Sequence, residues 1–188
     1  MPRLPRAELE PGIYHVIARG NRKQLIFLDD ADHNRYLGRL GRVVMRMRWR
    51  CMSFCLMRNH LHLLIETRVT NLSIGMQRLH GPYAQYFNGR HEQVGHLFQD
   101  RFKAIPIAND PHLLMVAAYI ANNPVAAGLC RTAAEWRWSS HAALLGGPAP
   151  EWLDRPQLHS YFASQGGDPE QCYADFVEAA AKIKGQSL

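Results

Sequence analysis

Residues 57–66 read MRNHLHLLIE, and their alternation constrains the chain more than any other feature. In an extended strand, successive side chains point to opposite faces. Leu61, Leu63 and Ile65 therefore share one face, and His60, His62, Leu64 and Glu66 share the other. The segment belongs in a sheet with one apolar face, and two imidazoles lie on the opposite one. Residues two apart on a strand are roughly 6.6–6.8 Å apart. That separation lets two imidazoles converge on one ion. An HxH pair on a half-buried strand also occurs as two surface histidines, so the spacing alone leaves both readings open.

Other segments supply partners for this strand. IYHVIAR (13–19) alternates and reads as a strand. Asp29 or Asp30 can cap a helix running to about Met47, in which Tyr36, Leu37, Leu40, Val43, Val44 and Met47 keep helical spacing. WRCMSFCLM (49–57) reads as a second strand, and a tight turn at Arg58 and Asn59 leads into the third, 60–67. Asn71 can cap a second helix to about Phe87, and GHLFQDRFKAIPI (95–107) reads as a fourth, bent strand. Asp110 and Pro111 form a cap and first turn for a helix that Asn123-Pro124 ends. Residues 169–184 read as a short C-terminal helix. The order strand, helix, strand, strand, helix, strand predicts an α+β, ferredoxin-like (RRM-like) antiparallel sheet. Its helices cover one face, the other face is open to a ligand, and a C-terminal helical extension follows.

At 188 residues the chain fits one domain with some elaboration. No apolar run approaches the roughly 18–20 residues that span a bilayer. MPRLPRAELEPG has no apolar stretch of the kind a signal peptide needs. We expect a soluble cytoplasmic protein whose four cysteines are free thiols. The charge is uneven. Residues 1–50 carry 11 Lys/Arg against 5 Asp/Glu, residues 51–108 carry 6 against 3, and residues 109–188 carry 5 against 8. A basic first half suggests a polyanion partner, above all nucleic acid.

Candidate DNA contacts follow from that charge. Arg19, Asn21, Arg22 and Lys23 form a basic turn at a strand end, suited to phosphate or a guanine edge. The same turn also reads as a charged, solvated surface. Arg101 and Lys103 share parity on the fourth strand, so both can face the histidine side. Trp136 and Trp138 could stack on single-stranded bases but read rather as core residues, and His15 reads as structural. Tyr119 and Asn123 are four apart, hence on one face of a helix. The amide oxygen can ligate a hard cation and the phenol can attack a phosphodiester. Six other tyrosines exist, and spacing does not choose among them. Two imidazoles and an amide oxygen with open positions suit Mg²⁺ or Mn²⁺. A zinc site recruiting Cys51 and Cys55 has the wrong histidine spacing. No Walker-type loop is present.

Four motifs, YHVIARGNRKQLIFLDD, LMRNHLHLLIE, GHLFQDRFKAI and YIANNPVAAGL, occur in an order and at a spacing that resemble the single-tyrosine transposases of the HUH class. The chain is most similar to the REP-associated tyrosine transposases. The resemblance covers roughly residues 11–145, and we take residues 1–145 as a catalytic domain with 146–188 as a C-terminal tail or extension. It implies a ferredoxin-like domain that cuts and rejoins single-stranded DNA beside hairpins formed by palindromic repeats. It implies one divalent ion on His60, His62 and Asn123, with Tyr119 as the nucleophile that forms a 5′-phosphotyrosine. Two positions depart from the family pattern. Arg58 stands where proline is common, and Ala126 stands where an arginine is common, which removes one expected phosphate contact. The working unit is a monomer or a homodimer. The alternative function is a hairpin-binding module that does not cleave. A plasmid-transfer nuclease would need a longer chain, and an RNA-binding domain would place aromatic residues where this strand has histidines.

Overall fold

The alternation at 57–66 is realised in β3 (His60–Thr67), where Leu61, Leu63 and Ile65 are fully buried. Burying each such side chain contributes about 1.5–3 kcal/mol. The computed structural model describes residues 9–163 and 166–185. The first eight residues, part of the segment read as lacking a signal peptide, lie outside the described residues. β3 pairs antiparallel with β1 (Gly12–Arg19) on one side and β2 (Arg50–Leu56) on the other. β4 (Lys103–Pro106) extends the sheet beyond β1. The order β2-β3-β1-β4 is the ferredoxin-like plan that the pattern predicts.

On the leucine face, α1 (Asp30–Met47) and α2 (Leu72–Arg90) pack against each other. Tyr36 and Tyr83 meet edge to face at 5.0 Å between ring centroids. Asp29 caps α1 by accepting from the Asp32 N–H. Arg48, in the left-handed region, ends α1 and turns the chain into β2.

The second face is not bare. α3 (Asp110–Ala126) crosses it and sets Tyr119 against His15 and His62. α3 buries Leu113, Leu114, Val116, Ala117, Ala118, Ile120 and Ala121. A helix apolar on so many sides must be covered by more than one neighbour. The sheet covers it from one side, and α6 (Pro169–Gly185) from another, with Asn122 Nδ2 donating to the Val177 carbonyl at 2.8 Å. α4 (His141–Leu144) and α5 (Arg155–Ala163) complete this side, and α5 packs on β2. The face expected to be open is therefore largely covered, and at one end of it Arg19 and Lys103 are exposed and His60 is half-buried.

Several local expectations shift. The fourth strand is short, because residues 95–102 leave the sheet after a single bridge between Gly20 and Phe98. Phe98 turns to stack on His80 of α2 at 4.3 Å. Asn71 occupies the N-cap of α2, but its side chain makes no capping bond and instead accepts from Trp49 Nε1 and donates to the Met47 carbonyl. Asn109, not Asp110, caps α3. α3 runs through Pro124 to Ala126, since a proline near a C-terminus removes only one late N–H, and Ala127 N still reaches Asn123 O at 3.0 Å. Among the described residues the four cysteines are free, and no helix is long and apolar enough to cross a membrane.

Candidate active site

The β1–β3 register builds the site. Arg19 lies directly opposite His60, and Ile17 directly opposite His62. Lys103 of β4 pairs with Ile17, which puts it in the same row and on the same face as His62. His15 pairs with Leu64, so it is a diagonal neighbour of His62 on that face. The two rings meet, with His15 Nε2 2.9 Å from His62 Nδ1.

α3 brings the remaining groups. The Tyr119 ring stands edge-on to His62 at 5.4 Å and to His15 at 5.8 Å between centroids. Tyr119 is 39% exposed, so a large substrate can reach it. One helical turn later, Asn123 Nδ2 donates to the Tyr119 carbonyl at 3.2 Å. Asn123 also lies close enough to His60 to favour its charged form. His60 and His62 stand at right angles, 5.0 Å between centroids.

Burial holds the His62 ring far below its ordinary pKa, and His15, His60 and Arg19 push in the same direction. Burial also lowers His60, partly offset by Asn123, with Arg19 adding to the lowering. Both imidazoles are neutral at pH 7, the form in which a ring nitrogen can ligate a metal. His62 Nε2 is buried and has no hydrogen-bond partner, although buried polar nitrogens are nearly always satisfied. Among the described residues no three His, Cys, Asp or Glu side chains gather around an ion. The donor set is instead two imidazoles and an amide oxygen, and the orphaned His62 nitrogen fits a cation held there. Cys51 pairs with Ile65 on the leucine face, while Cys55, across from His62, turns its thiol to Met57 Sδ at 3.6 Å, and burial raises both thiols.

The basic turn lies at the same end of the sheet. Asn21–Lys23 form one 3₁₀ turn, with Gly20 N bonded to Asn59 O and Asn21 N to Leu97 O. Arg22 and Lys23 adopt left-handed φ angles of 51° and 63° and are exposed. Arg101 is exposed, lies in the irregular stretch before β4 and lines a cavity of about 540 Å³ against α2, with His80, Phe98 and Phe102. Its parity with Lys103 carries no meaning where no strand exists. Trp138 is buried and stacks on His33, and Trp136 donates to the Leu56 carbonyl, so both tryptophans are packing residues as read. Sequence reasoning passed over two site residues, Asn59 and the part that His15 plays beside His62. Their only signals were the position before His60 and a shared strand parity.

A solved structure of a REP-associated tyrosine transposase bound to a REP hairpin is similar to this chain, with a TM-score of 0.64 and 16% identity over 82% of this chain and 94% of that one. A transposase candidate from Deinococcus radiodurans R1 gives a TM-score of 0.44 and 15% identity over 64% of this chain and 97% of that one. No curated protein matches the chain. Residues 10–123 match the family described as IS200-like transposases. That match takes in all four strands, both helices of the leucine face, and α3 up to Asn123. The chain belongs to the IS200-like transposase family.

Proposed function

We propose that this transposase cleaves and rejoins single-stranded DNA beside a hairpin, with Tyr119 as its nucleophile. The observation that carries the reading is the meeting of Tyr119 with His62, whose buried Nε2 lacks a partner. His60, His62 and Asn123 Oδ1 would hold one divalent ion, Mg²⁺ or Mn²⁺. When bound, that ion acts as a Lewis acid on the scissile phosphate and favours the phenolate.

The chain's own residues account for the rest. The Tyr119 oxygen attacks phosphorus, and the bond from phosphorus to the 3′ oxygen breaks. The DNA on the 5′-phosphate side stays attached as a phosphotyrosine, while the departing oxygen takes a proton and becomes a 3′-hydroxyl. One phosphodiester replaces another, so a 3′-hydroxyl can reverse the step and rejoin strands. Arg19 and Lys103 flank the histidines and offset phosphate charge, and Asn21, Arg22 and Lys23 hold the backbone next to the site. A hairpin partner is supported by the similar solved structure, which is bound to a REP hairpin.

The test uses end-labelled single-stranded DNA carrying a palindrome from the flanks of the gene. We expect nicking in Mn²⁺ by the wild type, loss of nicking to background in His62→Ala, and hairpin binding retained in both. Undiminished nicking by His62→Ala would remove the metal centre from the account. A bound substrate that the wild type never nicks would favour a hairpin-binding module.

A further inference from the structure

We infer that Asn59 and His15 are positioning residues that fix the ring tautomers of His60 and His62, so that each turns an unprotonated Nε2 toward the ion. The inference rests on the metal reading above.

The chemistry at Asn59 is forced. Its Nδ2 donates to the Lys23 carbonyl at 3.1 Å. A carbonyl oxygen only accepts, so the amide cannot be reversed. Asn59 Oδ1 then lies 2.7 Å from His60 Nδ1 and must accept from it. In a neutral ring with its proton on Nδ1, Nε2 carries the lone pair. The carbonyl that orients Asn59 belongs to the basic turn, so a strand gripped by Arg22 and Lys23 is tied directly to His60.

At His62 the metal reading selects the tautomer. Its Nδ1 and the Nε2 of His15 are 2.9 Å apart, and one of them donates. Nε2 is buried without a partner in either tautomer, and a proton on it would leave no lone pair facing the site. With the proton on Nδ1, His62 donates to His15 and its Nε2 is available to a cation. His15 suits the role because it is buried and its ring also meets Tyr119, which holds it beside His62. Ligating histidines are commonly oriented through their second nitrogen in this way. Here an amide oxygen and a third imidazole take the place usually held by a carboxylate.

The test reads tautomers and metal affinity, not cleavage. Long-range ¹H–¹⁵N correlation spectra of the histidine rings in the metal-free protein should show both His60 and His62 protonated on Nδ1. Asn59→Leu should release His60 to the Nε2–H form, and His15→Phe should do the same to His62. Each should weaken Mn²⁺ binding to the hairpin complex by roughly 10–100-fold, read by electron paramagnetic resonance of free Mn²⁺. Asn59→Asp keeps an acceptor at Nδ1 and should retain both the tautomer and tighter Mn²⁺ binding than Asn59→Leu. Thermal melts identify any variant that fails to fold, and the wild-type tautomers decide the matter if one does. Nε2 protonation of either ring in the wild type would overturn the inference. So would folded variants that bind Mn²⁺ as the wild type does, and that result would leave the metal reading intact. A wild type with the expected tautomers that binds no Mn²⁺ on the hairpin would overturn the metal reading itself.

Discussion

His80 and His141 lie away from the candidate site and are buried, and burial lowers the pKa of each ring to about 4. Each has a partner that a neutral ring can satisfy, Tyr36 for His80 and Tyr173 for His141. An unfolded histidine titrates near 6.5. Above that value both states are neutral and stability is level. Below it the unfolded chain takes up protons that the folded chain refuses, so stability falls as pH drops toward 4. Each ring costs up to about 1.4 kcal/mol per pH unit in that window. We expect the urea midpoint to be lower at pH 5 than at pH 7.5, with a smaller drop in His80→Gln. Equal midpoints at the two pH values would contradict the burial argument. At this scale, strand parity alone placed His60 and His62 on one face, and helical spacing paired Tyr119 with Asn123. Asn59 and the role of His15 were not legible. They depend on which residue of β1 lies across from which residue of β3, and that register is set by packing between segments far apart in sequence.

The elements differ in how fully the sequence revealed them. α1 announced itself through its cap and its apolar stripe, because its stability comes from one buried face. β4 was overread. Gln99, Arg101 and Lys103 alternate, but only residues 103–106 make strand pairs, since Phe98 is drawn toward His80. Pro124 was read as a stop, yet α3 carries on for two residues past it and keeps Asn123 in regular helix. The basic turn is held by backbone bonds to Asn59 and Leu97. At Gly20 an added Cβ would run into the Gln24 carbonyl, so only glycine fits that close approach. Replacing Arg22 or Lys23 with alanine should each flatten the slope of log affinity against log salt by about 0.7–0.9 for hairpin DNA. An unchanged slope would return that side chain to the solvated surface.

The molecule as a whole closes around α3. Leu158, Phe162, Tyr173 and Val177 of the C-terminal helices share one apolar cluster with Leu61, Leu63 and Ile120. The sequence after residue 145 gave little sign of this, because the burial of α5 and α6 depends on α3 being apolar on several sides at once. Removing a buried aromatic ring of this kind costs about 3–5 kcal/mol. Phe162→Ala should lower the free energy of unfolding by that amount in chemical denaturation. A loss below about 1 kcal/mol would show that the tail is peripheral to the fold. The same packing sets Tyr119 against the histidines, since α3 is gripped between sheet and tail. The most direct test of the central claim is a denaturing gel of the protein incubated with end-labelled hairpin-flanking single-stranded DNA and Mn²⁺, followed by mass spectrometry of the labelled peptide. The account predicts a covalent 5′ adduct on Tyr119 that disappears in EDTA and in Tyr119→Phe. An adduct that persists in Tyr119→Phe, or strand cleavage without any adduct, would contradict it.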